Sequence, residues 1–152
     1  MQISSKCAYA LRAVYALSEN TDPGPLKIAE IADRQKIPLK FLETILNHLK
    51  GGGFVRSQRG AEGGYWLARP ADRITVGEVL RFMEGPIAPA DCVTQSRPEG
   101  CKLPGDRAFL DFWDQVREAI TEVVDQTTFA DLVRRERSRR EENEPFVANW
   151  SI

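Results

Sequence analysis

A glycine-rich segment, Gln58–Gly64 (QRGAEGG), leaves this chain few ways to fold. It separates two short strand-like runs, Phe54–Ser57 and Tyr65–Leu67. It is too long for a two-residue turn and too rich in glycine for a helix. It therefore predicts a β-hairpin with an extended tip. Two short helical patterns precede it. Lys27–Arg34 sets Ile28, Ile31 and Ala32 on one face. Pro38–Lys50 turns Leu39, Leu42, Ile45, Leu46 and Leu49 inward, and Gly51–Gly53 stops it. Pro38 suits the first helical turn, where its missing N–H costs nothing. A helix pair followed by a glycine-tipped hairpin describes a winged helix-turn-helix, a mainly α fold with a small β-hairpin wing.

The rest of the chain reads as helices around that unit. Residues 4–18 form a first helix, capped by Ser4 or Ser5, with Cys7, Ala10, Leu11, Val14 and Leu17 at three- and four-residue steps. Asn20–Pro25 is a loop. Thr75 with Glu78 is a capping box that opens a helix to about Met83. Gly85–Gly105 holds four prolines and two cysteines in a long loop, which compact domains seldom keep without a use. From Asp106 to Asp125, the residues Phe109, Trp113, Val116, Ile120 and Val123 recur at heptad-like steps and predict a helix that dimerises. Thr128 with Asp131 starts a last helix, expected to fray in the run RRERSRREENE. The apolar end Pro145–Ile152 is expected to dock on the protein. The organisation read from this is a DNA-binding domain over 1–84, a sensor loop over 85–105, the dimerisation helix and the following helix over 106–135, and a charged segment with a docking tail over 136–152.

Charge and composition exclude several classes. The net charge is −1, so bulk polybasic binding is excluded. The halves differ: residues 1–73 carry 11 Lys/Arg against 7 Asp/Glu, and residues 74–152 carry 10 against 15. A basic front half fits a surface that faces nucleic acid. No run approaches the ~18 apolar residues of a membrane span. Lys6, Arg12 and Glu19 interrupt the N-terminal segment as they would a domain helix and not a leader peptide. A cytoplasmic protein is expected. A cysteine-nucleophile enzyme would need a histidine base near its thiol. The one histidine, His48, lies on the second short helix, far in sequence from the loop cysteines.

The helix over 38–50 would enter a major groove, offering Lys40, Glu43, Thr44, Asn47 and His48, with His48 read as facing DNA or packing between helices rather than as a metal ligand. On the hairpin, Arg59 would read guanine or enter a minor groove, Arg56 would pair with a phosphate, and Gly60, Gly63 and Gly64 would let the tip come close to a duplex.

These residues resemble the Rrf2 family of bacterial winged-helix regulators. The matching stretches are Ile3-Ser-Ser-Lys6 with Tyr9-Ala10, Ile31-Ala-Asp-Arg34, Phe41-Leu-Glu43, Arg59-Gly60 with Gly63-Gly64-Tyr65, Leu67, and Thr75-Val-Gly-Glu-Val79. The resemblance covers residues 1–84 and runs with gaps to about Val133. It implies a transcriptional regulator, expected to be a repressor, and a homodimer reading a pseudo-palindromic operator in double-stranded DNA. By resemblance Lys40, Glu43, Thr44 and Arg59 face the bases, and Ser5, Lys6, Ser57 and Tyr65 join the DNA-binding set. The helix from Asp106 is then the family's dimerisation helix.

Cluster-binding members place three cysteines in the loop before that helix and draw a fourth ligand from a histidine or from near the partner's N-terminus. Here the loop supplies Cys92 and Cys101, with eight residues between them. Cys7 of the partner would make a third thiolate, with Asp91 or Glu99 as an oxygen ligand. Three readings stay open: an iron–sulfur cluster (2Fe–2S), a thiol switch without metal, or cysteines with no redox role. The stretch Glu84–Pro89 and the apolar tail also resemble cluster-free members, which answer to a regulatory protein partner.

Overall fold

The structure is a computed structural model that describes residues 3–22, 24–89 and 106–143. Among these, six helices are accompanied by one small antiparallel hairpin that packs against the first and third of them. The helices are α1 (Ser5–Glu19), α2 (Ile28–Gln35), α3 (Leu39–Gly51), α4 (Val76–Glu84), α5 (Asp106–Gln126) and α6 (Phe129–Asn143). The strands are β1 (Val55–Gln58) and β2 (Gly64–Leu67). Cys92 and Cys101, with Asp91 and Glu99, lie outside the described residues, as does the tail Pro145–Ile152.

Helix α1 is the centre of the fold. Ser4 caps it: the Ser4 hydroxyl accepts a hydrogen bond from the Cys7 amide at 3.1 Å. Ala10, Ala13 and Ala16 are fully buried, and small side chains there let α2, α3, α4 and α6 close on the helix. Val14, Leu17, Ile31, Leu42, Ile45, Leu46 and Leu49 fill the space between α1, α2 and α3. The turn from α2 to α3 is tight. Lys36 adopts the left-handed conformation (φ 52°), and the Ile37 amide donates back to the Ala32 carbonyl at 3.0 Å.

The wing is paired Val55 to Leu67, Arg56 to Trp66, Ser57 to Tyr65 and Gln58 to Gly64. It lies one residue further along than the sequence suggests at β1 and one residue earlier at β2, so the tip shrinks to residues 59–63. Leu26 and Tyr65 exchange backbone hydrogen bonds of 2.9 and 2.8 Å, which anchors β2 to the segment entering α2. This contact explains Gly64. A Cβ there would stand 2.5 Å from the Leu26 carbonyl oxygen, and the φ of +155° already disfavours a side chain. At Gly63 a Cβ would collide with the backbone of Gln58 and Arg59. Both glycines therefore serve the closure of the wing itself.

Two features differ from the sequence reading. Helix α6 runs to Asn143, so most of the charged run is helical; Arg140 pairs with Glu136 one turn back and with Glu19 of α1. Phe129 is fully buried in the same core cluster as α1 to α4. The core of the head thus draws on residues that follow α5, and α6 folds back onto α1. The junction is built by backbone pairing. Val76 donates to the Thr127 carbonyl at 2.9 Å and Phe129 to the Ile74 carbonyl at 3.0 Å. Thr128 and Asp131 cap α6 reciprocally, at 2.9 and 3.1 Å. The Thr128 hydroxyl and amide, with Arg134, hold the Asp131 carboxyl down to about 2.

Candidate nucleic-acid interface

The buried side of α3 is Leu42, Ile45, Leu46 and Leu49. The helical repeat then turns Lys40, Glu43, Thr44 and Asn47 to solvent, as the sequence predicts. His48 departs from that row and takes the packing alternative. Its ring is half-buried and packs on Phe82 of α4, with centroids 4.7 Å apart, and its Nδ1 is buried without a hydrogen-bond partner. His48 thus belongs to the seam between α3 and α4. Phe82 also meets Phe54 at the foot of the wing, at 5.3 Å, so one ring braces the end of α3 and the start of the hairpin together.

Leu39 departs as well. It was expected inward and is 53% exposed, because the core row starts only at Leu42. With Phe41, at 59%, it puts two large apolar side chains on the first turn of α3.

On the wing, Arg56 and Arg59 are exposed, Ser57 and Tyr65 are half-buried, and Gly60 is exposed at the tip with φ +112°. Gly63 is buried within the tip and Gly64 is half-buried. The Lys27 ammonium donates to the Ala61 carbonyl, which ties the tip to the start of α2. Ser5 and Lys6 are exposed on the first turn of α1.

Cations with and without carboxylate partners occur over the whole surface. Arg34, Lys36, Arg69, Arg81, Arg117, Arg134 and Arg140 all have carboxylate partners. Lys6, Lys40, Lys50, Arg56 and Arg59 have none among the described residues, and Arg12, Lys27, Arg73, Arg135 and Arg137 also have none. Cations without internal partners are available to phosphates.

Cys7 is the one cysteine within the described residues, and it is fully buried. Burial pushes its thiol up to about 11, and the Glu84 carboxylate beside it adds to the rise by charge and by a hydrogen bond. Glu84 itself is held below the usual carboxylate range, chiefly by the Ser4 hydroxyl. A thiolate ligand needs the opposite surroundings. Among the described residues no group of three or more His, Cys, Asp or Glu side chains is arranged to hold a metal.

Helix α5 touches the head through α4. Gly77 of α4 sits at the crossing, where a Cβ would overlap the Asp125 carboxylate that pairs with Arg81. Away from α4, α5 exposes Phe109 (64%), Phe112 (51%) and Val123 (65%), while Trp113, Val116 and Ile120 are half-buried. The exposed row therefore includes Phe112, which the heptad reading omits.

Several of these residues carried no sequence signal. Glu84 and Asp125 look like ordinary helix-end charges, and Phe82 like a core residue. Gly77 did carry one: a glycine inside a helical pattern marks a close approach.

Comparison with known proteins agrees with this geometry. The Rrf2 family model, described as an iron-dependent transcriptional regulator, matches residues 3–135. The HTH-type transcriptional regulator CymR of Bacillus subtilis is 35% identical over 132 residues, covering 87% of this chain and 89% of that protein. The HTH-type transcriptional regulator IscR of Erwinia tasmaniensis is 34% identical over 134 residues, covering 88% and 79%. The structure of CymR (YrzC), described as the global cysteine regulator of B. subtilis, matches with a TM-score of 0.73 at 34% identity, over 88% of this chain and 96% of that one. These relatives are named as regulators and not as enzymes. No helix among the described residues is long and apolar enough to cross a membrane. With its helix pair, its wing and a family match over most of its length, the chain is a transcriptional regulator and belongs to the Rrf2 family.

Proposed function

We propose that this regulator acts as a homodimeric repressor on a pseudo-palindromic operator. In this reading α3 lies in the major groove, Arg59 reaches a base edge or a minor groove, and Lys6, Lys40 and Arg56 hold phosphates. The observation that carries it is the division of the surface. The exposed row Lys40, Glu43, Thr44 and Asn47 of α3 and the exposed Arg56 and Arg59 of the wing make one polar surface, and a separate apolar row, Phe109, Phe112 and Val123, is exposed on α5 among the described residues. A row of that size on a monomer calls for a partner, and a symmetric partner supplies a second reading head. The test is selection of duplexes from a random pool by the full chain, with light scattering of the free protein. An inverted repeat and a dimer mass are expected.

For the signal, the donor set favours regulation without a Cys7-ligated cluster. Cys92 and Cys101 alone give two thiolates, and Cys7 is buried and protonated beside Glu84. The similarity to a protein described as a global cysteine regulator supports a cysteine- or thiol-linked signal, or a protein partner that carries it. Colourless protein without iron after anaerobic preparation is the expected result. A visible absorbance band lost in Cys92→Ala, Cys101→Ala and Cys7→Ala alike would overturn this reading.

A further inference from the structure

The core and ion pairs of α3 leave two side chains of its first turn unexplained, Leu39 and Phe41, of which Phe41 is the more exposed and lies beside the solvent row. Phe41 stands on the first turn, 59% exposed. It belongs neither to the core cluster nor to the residues packed against it. The ring contacts among the described residues are His48–Phe82, Phe54–Phe82 and Phe112–Trp113, and Phe41 takes part in none. Its neighbours along the exposed face are Lys40, Glu43 and Thr44. The cations nearest in the proposed interface, Lys40, Arg56 and Arg59, are unpaired. An exposed ring on a helix whose exposed row also carries a free lysine suits a polyanion that also presents apolar groups.

We propose that Phe41 is a specificity-determining residue that selects thymine at one position of each half-site, by packing against the thymine C5 methyl group. The inference rests on the DNA-binding reading above and deepens it. The first turn of a recognition helix is the part that reaches base edges. A phenyl ring offers no hydrogen bond, so it is blind to the donors and acceptors of the groove. The feature it can distinguish there is the thymine methyl. Lys40 and Thr44 would supply the polar readout beside it, and Phe41 the apolar one.

Deoxyuridine tests this directly, because it differs from thymidine by that methyl alone. The operator selected by the full wild-type chain is remade with each thymine replaced in turn, and affinity is read by fluorescence anisotropy. One position per half-site is expected to lose about four-fold on replacement, the worth of one buried methyl. Phe41→Ala is expected to bind the thymine operator more weakly by at least that factor and to show no further loss on the uracil operator. Circular dichroism checks that the variant is folded, which its exposure favours. Two results overturn the proposal: an unchanged thymine-to-uracil ratio in Phe41→Ala, or an equal loss on operator and random DNA, which would make the ring a sugar–phosphate contact. If the wild-type chain selects no sequence at all, the DNA-binding reading itself fails, and that result is distinct from either of the others.

Discussion

The Glu84 carboxylate, at the last turn of α4, accepts a hydrogen bond from the backbone amide of Ser4 at 3.1 Å, across 80 positions of sequence. The Ser4 hydroxyl bonds the same carboxylate while capping α1 through the Cys7 amide. The start of the central helix is thereby fastened to the point from which the chain leaves for residues 85–105.

Burial and the neighbouring Glu84 carboxylate make stability depend on pH through Cys7. Its thiol is raised from an ordinary 9.0 to about 11, so the folded state holds the proton more tightly than the unfolded chain. The stabilisation is complete below pH 9 and is lost as pH rises towards about 11. Tyr15, pushed to about 12 mainly by burial, titrates in an overlapping range. The difference between wild type and Cys7→Ala isolates the cysteine. Denaturant midpoints between pH 8 and 11 should fall less steeply in Cys7→Ala, and Glu84→Gln should flatten the wild-type slope in part. In the Cys92→Ala/Cys101→Ala background, labelling of Cys7 at pH 8 as fast as a free thiol would contradict the burial described above.

A side chain at Gly77 should displace the Asp125 carboxylate from Arg81, because the group it meets is the end of a flexible, part-exposed side chain. Gly77→Ala is expected to lose the Arg81–Asp125 ion pair, worth about 1 kcal/mol or less at a part-exposed site, against a helix-propensity gain of about the same size. In an Asp125→Ala background the same substitution should be more favourable, since the group it meets is gone. A double-mutant cycle by chemical denaturation measures this. Equal effects in both backgrounds would show that the side chain does not act through Asp125.

Arg59 and Arg56 should separate by sequence dependence. Arg59→Ala is expected to lose about 1–3 kcal/mol on the selected operator and to relax discrimination. Arg56→Ala should weaken all duplexes alike and lower the salt slope by about one. Affinities on operator and random DNA at several salt concentrations give both numbers. Equal loss of Arg59→Ala on the two duplexes would make it a phosphate contact.

The dimer should depend on the exposed row of α5. Phe109→Asp with Val123→Asp places two carboxylates where the structure leaves apolar surface open, and is expected to give monomers with near-native helical content and poor operator affinity. Neither side chain supports the head, so the melting temperature of the monomer should change little. A dimer mass unchanged by light scattering would show that α5 is not the interface.

The sequence by itself determined the order and kind of the elements, because each rests on local physics. Helical periodicity marks α1 to α5, glycines and strand formers mark the wing, and the Thr75–Glu78 and Thr128–Asp131 pairs mark two helix starts. It also marked the solvent row of α3, Lys40, Glu43, Thr44 and Asn47, since those positions follow from the buried Leu42, Ile45, Leu46 and Leu49. Tertiary packing decided what local pattern cannot carry. His48 has the right spacing for the groove, yet Phe82, 34 positions away, draws its ring into a seam. Cys7 lies on the apolar face of the first helix in sequence, and the structure buries it beside Glu84, which adds to the rise in its thiol. Gly63 and Gly64 read as room for DNA, and the carbonyls of Gln58 and Leu26 show that the room is used by the protein's own backbone. Except for the Gln58–Gly63 contact within the wing, the deciding neighbour is distant in sequence, and its effect arises only when folding excludes water and brings the two groups within a few ångströms.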